Sequence, residues 1–539
     1  MANSTSPDGL DVIIVGAGVS GVYAIHKLRE LGLKARAYEK GSDVGGTWYW
    51  NRYPGCRCDV ESLEYSFSFS PELDQDWHWP ERYGNQGEIL KYVQHVADRF
   101  DVRKDIQFDT LITSAVFDDK TSQWTVTTDK GETITAPYII MATGNLSTPR
   151  KPDIPGVDSF KGKIYHTGLW PHEGVDFTGM RVGVVGTGSS GVQSIPHIAG
   201  QARQLFVFQR TANFSLPAQN GPLDPEREAM HKAEYPQRRA GAVNTPFAIA
   251  GYPPPTKSAL EVSEEERTAT YERKWQEGGS ISFLYAYTDL LTNEKANATA
   301  SDFVRNKIRS IVKDTETAEA LCPNDHPIGT KRLILDTNYY QTYNLPHVKL
   351  VNIRKNPIAE ITEWGIKTAD GQAFELDAIV FATGFDAMTG AMKEIDIRGR
   401  DGQSISDKWK DGPQTYLGIM AAGFPNLFMV TGPQSPGVKS QMIFSCQQHV
   451  DFIGDAIKHV QGRQMRRIEP SRMAEMAWVQ HNNDVANTTL YPLANSWYMG
   501  ANIPGKPRIF MPYVGGVQNY VAKCNEVVEK GYEGFEVGA

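Results

Sequence analysis

Gly16, Gly18 and Gly21 stand in the spacing G-x-G-x-x-G, directly after the apolar run DVIIVG at 11–16. Glycines at those intervals suit one task, which is bringing backbone close to a pyrophosphate. Gly16 permits a tight turn, Gly18 removes bulk beside the phosphates, and Gly21 lets a helix pack on the preceding strand. The N-terminus of that helix adds a field that favours the anion. Glu39 lies 23 residues beyond Gly16, near the end of KARAYEK at 34–40. A carboxylate there can accept hydrogen bonds from a ribose diol. The glycines alone are weak support, since any tight strand–helix turn uses them. Strand, helix and acid together point to a dinucleotide, either FAD or NAD. Gly45-Gly46-Thr47-Trp48 follows at once, a continuation common in N-terminal FAD folds, so FAD is expected here.

The pattern recurs at Gly186, Gly188 and Gly191, after RVGVV at 181–185. Here the second strand ends in Phe208-Gln209-Arg210-Thr211, with no carboxylate where Glu39 stood. A guanidinium at Arg210 matches a 2′-phosphate, so NADPH is expected in preference to NADH. The plain alternative for Arg210 is a solvated surface charge.

Each glycine turn needs a strand–helix–strand unit to hold it. The first unit is the strand at 11–16, a helix from about Val19 to Leu31, and the strand at 34–40. The second is 181–186, a helical stretch, and LFVFQRT at 205–211. Short apolar runs of this kind suit buried parallel strands. Two more occur at 137–144 (PYIIMATG) and 379–386 (IVFATGFD). The stretch from about 218 to 330 is polar and helical in pattern, with a possible capping box at Ser263 and Glu266. It is expected to be a helical insertion in the second nucleotide-binding unit. No low-complexity segment or solenoid repeat is visible.

Composition bounds the rest. At 539 residues the chain exceeds what one core supports, so two or three domains are expected. A net charge of -8 argues against nucleic acid as a partner. The polar residues 1–11 lack the basic flank and apolar core of a signal peptide, and no apolar run is long enough to span a bilayer. Five cysteines, with no C-x-x-C pair, make a disulfide framework or a zinc site unexpected, and a cytoplasmic location is the default. A disulfide reductase would need a reactive cysteine pair beside its flavin, and Cys56 and Cys58 are too close together for the usual spacing.

Residues 160–171, FKGKIYHTGLWP, fit F-x-G-x-x-x-H-x-x-x-W-P through Phe160, Gly162, His166, Trp170 and Pro171. A second pattern, G-G-x-W-x-x-x-x-Y-P-G-x-x-x-D, is met by Gly45, Gly46, Trp48, Tyr53, Pro54, Gly55 and Asp59. Together they resemble the fingerprints of type I Baeyer–Villiger monooxygenases. The likeness runs to SWYMGANIPGKPR at 496–508. It looks nearest to the phenylacetone monooxygenase branch, with cyclohexanone and steroid monooxygenases as wider relatives. The resemblance implies an α/β chain with two Rossmann-like dinucleotide-binding domains. FAD would take 1–147 and 386–539, and NADP would take 148–217 and 331–385, with 218–330 as the helical insertion of the NADP domain. It also implies that NADPH reduces FAD, and that dioxygen is captured as a peroxyflavin. A small-molecule ketone becomes an ester or lactone, with sulfides oxidised as a side activity. A monomer or weak homo-oligomer is expected, with no membrane partner.

That chemistry develops negative charge on oxygen where water must be excluded, so it needs a fixed cation beside the flavin. On the resemblance, Arg332 in HPIGTKRLILD is that cation and Asp59 its acidic partner. A structural ion pair between domains is the plain alternative. Lys331 is expected to hold the NADP phosphate beside Arg210, and Trp497 to contact the nicotinamide end. Further cofactor contacts implied are Gly46, Thr47, Trp48, Asp59, Val60, Tyr65, Ile112, Met442, Thr187, Gly188, Ser189, Ser190, Gln193 and Thr211. His166 is expected to act as a hinge and not as an acid or base. The loop GPQSPGVKSQM at 432–442 departs from the phenylacetone branch at Gln434, Val438 and Lys439. A basic residue there either admits polar ketones or points into solvent. The rivals are a flavin monooxygenase acting on nitrogen or sulfur, and a non-catalytic NADPH-binding flavoprotein.

Overall fold

The computed structural model describes residues 9–150 and 152–539. Most of the polar N-terminal stretch therefore lies outside the described residues. Two five-stranded sheets form the framework. The first is built from Leu427–Met429, Tyr138–Met141, Val12–Val15, Ala35–Tyr38 and Ile106–Gln107, in that spatial order, all parallel. The second runs Val348–Asn352, Gln204–Gln209, Arg181–Val185, Ala378–Phe381 and Lys163–His166, again all parallel. Val12–Val15, Tyr138–Met141 and Ala378–Phe381 are buried along their whole length. This is why they read as unbroken apolar runs and not as alternating ones.

Each glycine motif turns its chain from strand to helix. The opening helix spans Val19–Glu30, and its counterpart spans Ser189–Ala199. Gly16 sits at φ +102, and a Cβ there would lie 2.7 Å from the Ala142 carbonyl oxygen. A Cβ on Gly21 would lie 2.0 Å from the Gly16 carbonyl oxygen, and one on Gly191 2.2 Å from that of Gly186. Gly16, Gly21 and Gly191 thus leave no room for a side chain.

The polar stretch after Pro217 forms helices Pro225–Ala242, Glu264–Glu277, Ser280–Leu284, Glu294–Ile311 and Thr315–Leu321. Ser263 caps the second of them, its hydroxyl accepting from the Glu266 amide at 3.2 Å. The excursion leaves and returns at one place: Ser215–Pro217 pairs in parallel with Ile334–Asp336. That pairing fixes where Lys331 and Arg332 re-enter. Smaller sheets accompany them, including one in which Ile112–Asp118, Gln123–Thr128 and Thr133–Ala136 pair antiparallel and Asp396–Arg398 joins in parallel. Among the described residues no helix is long and apolar enough to cross a membrane. All five cysteines are free and buried.

Candidate active site

The first glycine turn opens on a cavity of about 270 Å³. Gly16, Gly18, Glu39, Gly46, Thr47, Trp48, Tyr65, Ile112 and Met442 all line it, together with Thr431 and Cys446. Nine of the residues assigned to the cofactor from sequence therefore converge on one elongated space. Gly18 and Gly46 face each other so closely that a Cβ on Gly46 would lie 2.8 Å from the Gly18 Cα. Glu39 is buried and accepts from the amides of Ala17 and Gly41, each at 2.8 Å. A carboxylate offers about four acceptor directions, so capacity for a ribose diol is left over. Trp48 donates its indole N–H to the Tyr65 hydroxyl at 3.2 Å, which fixes both rings in the wall. A glycine cradle with an acid at one end and apolar side chains along its length fits FAD. Asp59 and Val60 do not line this space. They border a separate void of about 10 Å³ with Glu61, Glu64 and Tyr83.

The second turn faces outward. Gly188 and Ser189 are exposed, and Ser189 and Ser190 begin the helix Ser189–Ala199. Thr187 donates to the Thr211 carbonyl at 3.0 Å and ties the turn to the end of the neighbouring strand. Arg210 is exposed, while Lys331 and Arg150 lie close enough for its charge to be felt. Burial first, with Arg210 adding to it and Asp325 opposing it, pulls the Lys331 ammonium below its usual range, and burial and then Arg210 lower the Arg150 guanidinium. Cations that crowd one another in this way are relieved by a phosphate. Gln193 faces elsewhere. It accepts from the Tyr53 hydroxyl at 2.8 Å and donates to the Arg57 carbonyl at 3.0 Å. A Cβ on Gly55 would lie 2.3 Å from the Gln193 carbonyl oxygen. The segment Tyr53-Pro54-Gly55 is thus docked on the helix of the second unit, and that docking carries Asp59 to Arg332.

Arg332 and Asp59 form a two-pronged pair: Nε to Oδ2 at 2.6 Å and Nη2 to Oδ1 at 2.7 Å. The remaining arm, Nη1, donates to the Val438 carbonyl at 2.6 Å. Burial by itself would push the Asp59 carboxyl up, but the Arg332 charge and its hydrogen bonds outweigh it and hold the group below the usual carboxylate range. Both side chains lie deep in the molecule, yet 31% of Arg332 and 22% of Asp59 remain open to water. Their exposure is to an internal cleft. Val438 belongs to an apolar cluster with Leu146, Met442, Tyr491, Tyr498 and Trp497. Leu146 and Met442 also wall the flavin-sized cavity, so the cation and that cavity share one lining. Trp497 is half-buried, its ring 4.2 Å from that of Tyr498.

The divergent loop behaves differently from a simple pocket wall. Gln434 is fully buried, facing the core. It accepts from the Thr415 amide at 3.0 Å and donates to the Pro413 carbonyl at 3.0 Å. Val438 supports Arg332 through its backbone. Lys439 does not point into bulk solvent; it lies over the rings of Tyr491 and Tyr498. Sequence reasoning missed the Val438 contact and the two tyrosines. A main-chain acceptor leaves no trace in residue type, and a buried tyrosine reads as core.

His166 accepts from the Gly168 amide on Nδ1 at 3.0 Å, which places its proton on Nε2. That nitrogen lies 3.0 Å from the Arg150 carbonyl and 3.1 Å from the Thr383 hydroxyl. The ring thus joins the two chain segments that pass between the sheets.

Comparison with known proteins agrees with this geometry. The flavin-binding monooxygenase-like family matches residues 10–220. The phenazine N-monooxygenase of Lysobacter antibioticus is 46% identical over 97% of this chain and 96% of its own. The methyl acetate-forming acetone monooxygenase of Gordonia sp. (strain TY-5) is 42% identical over 98% of both chains. The solved structure of an oxidised steroid monooxygenase bound to NADP superposes with a TM-score of 0.93 at 51% identity, covering 98% of this chain and 99% of that one. The chain therefore belongs to the flavin-binding monooxygenase-like family, in the group that holds the Baeyer–Villiger monooxygenases.

Proposed function

We propose that this protein is an FAD- and NADPH-dependent Baeyer–Villiger monooxygenase that converts ketones to esters or lactones with dioxygen, and oxidises sulfides as a side activity. The observation that carries it is the Arg332–Asp59 pair, open to an internal cleft that shares its apolar lining with the dinucleotide cavity. Bound FAD supplies electron transfer from NADPH and the activation of dioxygen. The chain supplies the rest. Gly16, Gly18, Gly46 and Glu39 hold the flavin nucleotide. Arg210, Lys331 and Arg150 surround the 2′-phosphate, and Trp497 meets the nicotinamide end. A guanidinium has five N–H donors and no accessible deprotonated form. Asp59 and Val438 take three of them, which leaves two to meet an oxyanion as it forms on the substrate. Asp59 fixes the direction of those two without discharging the cation. Leu146, Met442 and Val438 give the same space an apolar lining.

The same proposal assigns 1–147 and 386–539 to the FAD domain, 148–217 and 331–385 to the NADP domain, and 218–330 to its insertion. The strands of the two sheets fall on the matching sides of these boundaries. It also includes a cytoplasmic monomer or weak homo-oligomer. The five free, buried thiols suit a reducing compartment.

A second reading is oxygen transfer to a heteroatom, favoured by the likeness to the phenazine N-monooxygenase. A panel of linear, cyclic, aryl and steroidal ketones, with phenazines and sulfides alongside, separates the two by mass spectrometry of products. Esters or lactones are expected. N-oxides or sulfoxides alone would overturn the ketone assignment.

A further inference from the structure

The loop that supports Arg332 also delivers a second cation, Lys439, which the ketone chemistry above does not use. It closes the short turn Gly437–Lys439. Its Nζ lies 4.4 Å from the centre of the Tyr491 ring and 4.8 Å from that of Tyr498. Both rings are buried. Among the described residues this ammonium has no hydrogen bond or ion pair. Asp59, the nearest carboxylate to influence it, is already gripped at both oxygens by Arg332.

Two cations and one carboxylate leave a surplus positive charge in a deep cleft. Burying an ammonium without an anion is costly. Burial, and then the Arg332 charge, pull this one down to about 7 against a smaller upward pull from Asp59. The two ring faces work the other way, since they attract a cation and hold it in place. A second polar group is also left over: the Tyr498 hydroxyl is buried beside Arg332 without a hydrogen bond of normal geometry. Around these lie Leu146, Val438, Met442 and Trp497, all apolar at their contacting surfaces. An oriented cation and a spare donor at the end of an apolar lining complement a hydrocarbon skeleton that ends in an anion.

We propose that Lys439 determines substrate specificity by pairing with a carboxylate on the substrate, so that keto acids are preferred to neutral ketones of the same skeleton. The inference rests on the ketone-oxidising reading and names its substrate class. Matched pairs test it: cyclohexanone with 4-oxocyclohexanecarboxylate, and a methyl ketone with its ω-carboxylate, each scored by ester yield and kcat/KM in the holoenzyme. The wild type should favour the carboxylate member by about tenfold to a hundredfold, mainly through KM, as expected for one charge-assisted contact. Lys439→Met, which keeps length and removes charge, should bring that ratio close to one, and Lys439→Arg should restore part of it. Should Lys439→Met fail to fold, the wild-type ratio alone decides. Equal kcat/KM for both members in the wild type, or a preference that survives Lys439→Met, would overturn the Lys439 assignment while ester formation left the ketone reading standing. No ester from either member would overturn both.

Discussion

Arg332 enters the cleft with three of its five N–H donors engaged, and the division of labour among them sets what each substitution should do. In the proposed mechanism, Arg332→Ala removes the permanent charge that faces a developing oxyanion. Loss of one such stabiliser in a dry site costs about 100–1,000-fold in rate. Hydride transfer from NADPH does not need that charge, so the variant should still oxidise NADPH while releasing hydrogen peroxide and making little ester. Asp59→Ala should act in the same direction more mildly, because the cation stays and only its aim is lost. Stopped-flow mixing of reduced enzyme with oxygen, followed by ester quantitation, checks both; a normal ester yield from Arg332→Ala would remove that residue from the mechanism. Arg210→Ala should cost NADPH about 10–150-fold in affinity, one charge-assisted phosphate contact, and leave NADH little changed. Equal losses for the two cofactors, measured by titration, would make Arg210 structural. At this scale the sequence was legible where residue type states the chemistry, as with the glycines and Glu39; the pairing of Arg332 with Asp59 was expected only through the family resemblance. It was silent where backbone or orientation does. Gln193 serves the seam between units and Gln434 the core, and neither fact follows from being a glutamine.

The elements matter most where the chain crosses between sheets. Pro149 and Phe385 form an antiparallel bridge, Arg150 donates to Gly384 at 2.8 Å, and Asp386 donates to Thr148 at 2.9 Å. The two crossings therefore lie side by side as one ribbon. His166 ties Gly168 to Arg150 and Thr383 across that ribbon, and a Cβ on Gly168 would lie 2.7 Å from the Phe385 ring. Both ring nitrogens are engaged in structural hydrogen bonds, which suits a tie across the ribbon. His166→Ala should keep its FAD, lose coupling between NADPH oxidation and product, and show no missing ionisation in its pH profile. A lost ionisation with coupling intact would convert His166 into an acid or base. The crossings were legible in outline, since apolar runs ending in ATG mark both. Their pairing was not, because two short strands meeting across more than 230 residues of sequence leave no periodic signal. The insertion was legible as composition and as the Ser263 cap. The parallel pairing of Ser215–Pro217 with Ile334–Asp336, which closes it, was not, since three-residue strands are too short to alternate.

For the molecule as a whole, buried titratable groups set how stability follows pH. His449 is fully buried beneath the flavin-sized cavity. Its Nδ1 accepts from the Thr431 amide at 2.9 Å, and its Nε2 meets the Tyr520 hydroxyl at 2.8 Å, which itself donates to the Leu417 carbonyl at 2.6 Å. Burial pulls its pKa from 6.5 down to about 3. Below pH 6.5 the unfolded chain therefore binds a proton on this ring that the folded chain refuses until about pH 3. A group depressed in this way costs stability progressively as pH falls through that window, with a slope of up to about 1.4 kcal/mol per pH unit. Asp336 opposes it. Burial raises its carboxyl from 3.8 to about 6, so the folded chain holds the extra proton and gains stability as pH falls from about 6 towards 3.8. Because the two cancel in part, the wild-type curve alone is a weak test and the difference between variants is a strong one. His449→Gln can still accept from Thr431 but cannot take up a proton. Its melting temperature at pH 7.5 should lie below that of the wild type, since the fit of the ring is lost. Between pH 7.5 and 5.5 it should then fall less steeply than the wild type does. Thermal scans at one fixed rate, read by flavin fluorescence and by circular dichroism, measure both slopes. Parallel curves would mean that folding leaves the proton affinity of His449 unchanged, so that the ring under Thr431 takes up its proton in the folded chain as readily as in the unfolded one.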